Sequence, residues 1–106
     1  MNQGFRLVAV AVLATLMAAP AIAQAPGADT YKAKCAMCHG ADGLAATPMA
    51  KSMKVVSFKD ATMVSATDAQ FIASTTDGKG KMPAYKGKLT DAQIKDVVGY
   101  IRTLQK

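Results

Sequence analysis

Cys35-Ala36-Met37-Cys38-His39 is the stretch of this 106-residue chain that decides how the rest is read. Cysteines three apart on a helix lie on one side of it, so both thiols face one edge of a flat group beside the helix. The His that follows stands at the helix end, where its imidazole can turn under such a group. Three other chemistries compete for the pattern. A thioredoxin-like redox pair wants a preceding strand and a βαβ setting, and neither is visible. A structural zinc site wants four ligands, whereas two Cys and the chain's single His make three. A disulfide between neighbouring turns would close a tiny loop, constrain little of the unfolded chain and leave His39 unused. Cys-x-x-Cys-His taken whole is the attachment pattern of a c-type haem, in which each thiol adds across a vinyl group and the His reaches the iron.

Upstream of the motif the composition changes. Residues 1–23 carry one basic residue, Arg6, and no acid, then the apolar run Leu7 to Ala19, the breaker Pro20 and the small-residue exit Ala21-Ile22-Ala23. That order is the form of a secretory signal peptide. Cleavage is expected after Ala23, or after Ala25 in the second frame Ala23-Gln24-Ala25, so that the working domain is 24–106 and its compartment the periplasm. An uncleaved anchor is the rival reading, but the 13-residue, largely apolar run from Leu7 to Ala19 falls short of the roughly 20 a spanning helix needs. Without Arg6, the 13 Lys+Arg become 12 against seven acids, a net charge of +5. A domain this small buries a modest share of its surface and usually needs a staple, which a large apolar cofactor at its centre would supply.

Downstream the pattern is helical throughout. Asp29 is expected to cap a helix through Tyr31 to about Cys38, stopped by Gly40. Residues 40–48 read as loop. Ser57 is a candidate cap for a short helix through Phe58 and Met63, and Thr67 with Gln70 forms a capping box opening another through Phe71 and Ile72. Asp77 to Lys81, with two glycines, reads as loop. Thr90 and Gln93 form a second capping box, after which Ile94, Val97, Val98, Ile101 and Leu104 recur at helical spacing. Gly99 inside that helix predicts a close crossing with the Asp29–Cys38 helix. There is no strand alternation and no internal repeat. Several helices joined by long loops are expected to wrap something.

The iron then needs a sixth ligand. Of the five methionines after residue 23, Met37 lies between the cysteines and points away from their face. Met49, Met53 and Met63 remain open on geometry alone. Met82 stands out through its setting, Gly78-Lys79-Gly80-Lys81-Met82-Pro83. The glycines let the backbone curl over a flat ligand, and Pro83 biases Met82 towards an extended conformation.

On these residues the chain resembles the class I c-type cytochromes, closest to the photosynthetic-type branch and its bacterial relatives. The resemblance rests on Tyr31, Cys35 to Gly40, Met82-Pro83-Ala84-Tyr85 and Leu89 to Leu104. It implies an all-α cytochrome c fold with first and last helices packed crosswise, Tyr31 lying against Val97, Tyr100 and Ile101. It implies one covalent haem c, with Met82 as axial ligand opposite His39. Pro48, nine residues after His39, would hold the His through its carbonyl, although Thr47-Pro48 stands where the family has Gly-Pro. Tyr85 is counted with the cofactor-binding residues on the same ground. His/Met ligation closes the iron and raises its potential, which leaves one-electron transfer rather than substrate turnover or a small-molecule substrate. Lys79, Lys81, Lys86 and Lys88 cluster near Met82, a rim suited to redox partners with acidic docking surfaces. Nucleic acid is excluded by the export signal and the absence of a binding motif. A monomeric shuttle in a respiratory or photosynthetic chain is expected, the alternative being a permanently bound haem-bearing subunit of a dehydrogenase or oxidase.

Overall fold

A computed structural model describes residues 25–106, together with the isolated residue 11. The expected leader therefore lies, apart from Ala11, outside the described residues. Six helices follow in order: α1 (Ala28–Lys34), α2 (Ala36–His39), α3 (Pro48–Ser52), α4 (Ala61–Ser65), α5 (Asp68–Asp77) and α6 (Asp91–Leu104). Among the described residues the extended pairing is limited to the isolated bridges Lys79 with Met82 and Lys86 with Leu89. The fold is all-α, as its hydrophobic periodicity predicts.

The two capping boxes form as read. Thr67 Oγ1 accepts from Gln70 N while Gln70 Oε1 accepts from Thr67 N; Thr90 and Gln93 repeat the arrangement at the head of α6. Each satisfies two backbone donors that a helix start otherwise leaves unpaired. Elsewhere the boundaries differ. Gly27, not Asp29, is the N-cap of α1, and Asp29 sits in its first turn, where a carboxylate suits the helix dipole. Ser57 Oγ accepts from Lys59 N in a turn, and the cap of α4 is Asp60, accepting from Thr62 N. Within the expected loop and beyond it, Thr47 caps the short α3 with Pro48 at its first position.

α1 and α6 cross, and the crossing is the centre of the core. Tyr31 is fully buried with Phe58, Phe71, Val97, Val98 and Ile101 around it, and its ring tilts against Tyr100 at 5.2 Å between centroids. The crossing glycine is Gly27 rather than Gly99. A Cβ on Gly27 would run into the Asp96 carbonyl, and its φ of +87° is one that side chains resist. Gly99 has open space at its Cβ position among the described residues. The helices meet at the head of α1, so the tight spot falls on a residue preceding the helix.

Candidate haem site

The attachment motif sits where the first helix breaks. Cys35 (φ −115°) separates α1 from α2, yet its N–H still donates to Tyr31 O at 2.8 Å and its carbonyl accepts from His39 N at 2.9 Å. The break is thus a kink rather than a loop. Cys35 is buried and Cys38 half-buried, and both thiols are free. Burial first, then the neighbouring Cys38, pushes the Cys35 thiol up to about 11. That is the opposite of the lowered thiol of a redox-active pair. Met37, between them, is 71% exposed, turned outward as expected.

His39 ends α2, and Gly40 (φ +83°) terminates the helix behind it. Burial pulls the imidazole below its ordinary pKa, so at neutral pH the ring is uncharged and has a nitrogen lone pair to give. Its Nδ1 is buried without a hydrogen-bond partner among the described residues. Pro48, expected to hold the ring through its carbonyl, is the first residue of α3 and is not the partner of Nδ1 in this geometry. What lies against His39 instead is Phe58, stacked at 4.6 Å between centroids with the planes 16° apart. The backbone just after His39 is held by Tyr31, whose buried hydroxyl donates to Gly40 O at 2.6 Å.

Met82 is half-buried and closes a tight turn with Lys79, each N–H donating to the other's carbonyl at 2.9 and 3.1 Å. Gly78 lies directly beneath this turn: a Cβ there would stand 2.8 Å from Met82 O and 2.9 Å from Ala84 N. The chain then returns along the end of α5, Tyr85 N donating to Thr75 O and Lys86 N to Thr76 O. Tyr85 reaches the attachment helix, its hydroxyl donating to Lys34 O at 3.0 Å. Its phenol is raised by burial and then by the nearby Cys35 and Cys38 thiols, so Tyr85 lies near both cysteines. Of the other methionines, Met49 lies with its sulfur 3.6 Å from Cys38 Sγ, and Met63 packs against the core. Lys79, Lys81, Lys86 and Lys88 are all exposed. Among the described residues the one ion pair joins Arg102 and Asp68, so these four lysines carry unpaired charge.

The donor set fits a covalent haem: two free thiols three residues apart, a neutral imidazole, and the soft thioether of Met82 on a loop that Tyr85 ties to the attachment helix. Phe58 and Tyr31 escaped the sequence reading as parts of the site, because nothing local marks which aromatic ring will meet His39.

The fold and site together define a c-type cytochrome. The family model described as "Cytochrome C oxidase, cbb3-type, subunit III" matches residues 23–101. Cytochrome c6 of Nostoc sp. is 36% identical over 90% of this chain and 85% of its own length. Cytochrome c6 of Leptolyngbya boryana is 38% identical, covering 73% of this chain and 87% of its own, and that of Picosynechococcus sp. is 35% identical over 89% and 87%. The solved structure of the KustC0563 c-type cytochrome superposes with a TM-score of 0.69 at 29% identity, covering 76% of this chain and 98% of that one. The chain belongs to this family, the class I c-type cytochromes. It is a haem-bearing electron-transfer protein rather than an enzyme, carries one covalent c-type haem and works with redox partners. No described helix is long and apolar enough to cross a membrane.

Proposed function

We propose that Cys35 and Cys38 carry the thioethers, that His39 and Met82 are the axial ligands, and that the exported domain 24–106 is a periplasmic one-electron shuttle. The observation that supports the site is the meeting of free thiols, neutral imidazole and Tyr85, three residues after Met82, at the kinked α1–α2 junction. Haem held there supplies a reversible one-electron couple. The chain's own part would be to hold that group, His39 offering its neutral nitrogen and Met82 its soft sulfur, a ligand pair that suits electron transfer. Tyr85 ties the Met82 loop to the attachment helix through Lys34. The unpaired lysines at 79, 81, 86 and 88 favour fast, weak docking on acidic partners in a respiratory or photosynthetic chain.

The test is spectroscopic. The exported protein should keep its haem through acid–organic extraction, and Met82→Ala should abolish the ferric sulfur-to-iron charge-transfer band that Met49→Ala, Met53→Ala and Met63→Ala retain. Haem lost on extraction would overturn the thioethers; a band surviving M82A would overturn that ligand.

The matching family's description as an oxidase subunit favours a second reading, a permanently bound haem-bearing subunit. Near full-length similarity to cytochrome c6 favours the shuttle and a monomer. Pull-down from the native host decides: complexes that dissociate as salt rises support the shuttle, and a stoichiometric salt-resistant partner overturns it.

A further inference from the structure

The bend at Cys35 releases one backbone carbonyl, and the loop that carries Met82 takes it. In an unbroken helix Lys34 O would accept from the N–H four residues on, that of Cys38. Cys38 N instead donates to Cys35 O at 3.2 Å, and Lys34 ends α1. A carbonyl at a helix end needs a donor from outside the helix. Here the donor is the Tyr85 hydroxyl, 51 residues along the chain, at 3.0 Å.

That bond joins two parts of the fold that carry different ligands. α1 packs on α2 and α2 on α3, so Cys35, Cys38 and His39 travel together. Met82 sits on the loop leaving α5, and α5 packs on α6. The loop's backbone bonds run within itself or back to the end of α5: Lys79 with Met82, Tyr85 N to Thr75 O, Lys86 N to Thr76 O. Among the described residues, the hydrogen bond that leaves this part for the attachment helix is the one from the Tyr85 hydroxyl. Tyr85 is well placed to bear it. Its N–H is fixed to α5, and its carbonyl accepts from Lys88 N and Leu89 N at 2.9 and 3.0 Å. Its ring is half-buried and lies near both cysteines. Pro83 and Ala84, the two residues between it and Met82, are exposed, so packing does little to hold that stretch down. At a half-buried position water could satisfy the hydroxyl, and a ring serving only as filler needs no bond to a carbonyl across the fold.

We propose that Tyr85 is a positioning residue, a latch that holds the Met82 loop closed on the attachment helix through Lys34 O and so sets how often the methionine leaves the iron. This rests on Met82 being an iron ligand. Releasing the latch breaks one partly solvated hydrogen bond and opens no cavity. It should therefore change the opening of the loop far more than the stability of the domain.

The experiment is binding of added imidazole to the ferric holoprotein. Free imidazole can take the iron only after the methionine sulfur has left, so its affinity and its limiting rate of binding both report the opening of the loop. Tyr85→Phe keeps the ring and removes the hydroxyl. It should raise both quantities by about 2- to 10-fold, the factor that one hydrogen bond is worth, while the resting charge-transfer band persists. Thr67→Ala removes the cap at the far end of α5. It should lower the unfolding midpoint and leave both quantities at their wild-type values. Wild-type affinity and rate in Y85F would overturn the latch, as would an equal gain in T67A. Met82→Ala separates the latch from the ligand assignment beneath it, because without the sulfur the binding rate should rise with imidazole concentration and reach no limit. A wild-type protein that behaves as M82A does would overturn Met82 as ligand, and the latch with it.

Discussion

The α1–α6 crossing and the turn that carries Met82 are held by different forces. At the crossing Tyr31, Val97, Val98 and Ile101 are buried among one another, and Gly27 lets the two backbones touch. The Met82 turn buries little. Its lysines and Pro83 are exposed, and it is placed by backbone bonds to Lys79, Thr75 and Thr76, by the Tyr85 hydroxyl, and by the absence of a side chain at Gly78. Apolar contact is non-directional and shared among many residues, so the crossing should set the stability of the whole domain. The turn depends on a few directional bonds, and damage there should stay local.

The largest effect tests the crossing. Gly27→Ala places a Cβ against Asp96 and forces an L-residue to a φ of +87°. Left-handed backbone costs roughly 1–2 kcal/mol and overpacking typically 1–3, so a global loss of about 3 kcal/mol is expected in denaturant unfolding of the holoprotein. Gly78→Ala meets the same two penalties at Met82 and Ala84, but there the neighbours can give way. We expect about 2 kcal/mol, relieved by movement of the turn: the charge-transfer band assigned to Met82 weakens while the midpoint falls less than in G27A. Equal midpoints, or an intact band in G78A, would erase the distinction between the two regions. The smallest effect sharpens it. Thr90→Ala removes the side-chain acceptor at the head of α6, costing about 1 kcal/mol, and because α6 belongs to the crossing the loss should appear in the global midpoint with the band unchanged.

Much of this was legible along the chain, and the legible parts share a cause. The capping boxes, the apolar stripe of α6, the Gly40 stop and the Cys35–His39 spacing are all relations within four residues or one helical period. Their physics is complete before the chain folds back on itself. The misread parts are relations across the fold. Gly99 was as good a candidate as any for the crossing until α6 met the head of α1, whereupon Gly27 took the contact and Gly99 was left with open space among the described residues. Asp60 displaced Ser57 as the cap of α4 because Ser57 is engaged in the preceding turn.

By itself, then, the sequence determined the haem chemistry, the helical class and the starts of α5 and α6, because a three-residue spacing and a capping box act at short range. Tertiary structure alone decided which ring stacks on His39, which glycine admits α6, and how Arg102 and Gln105 reach back to the carbonyl of Phe58. Those contacts join residues up to 70 positions apart, and only the packing of the core brings such residues within reach of one another.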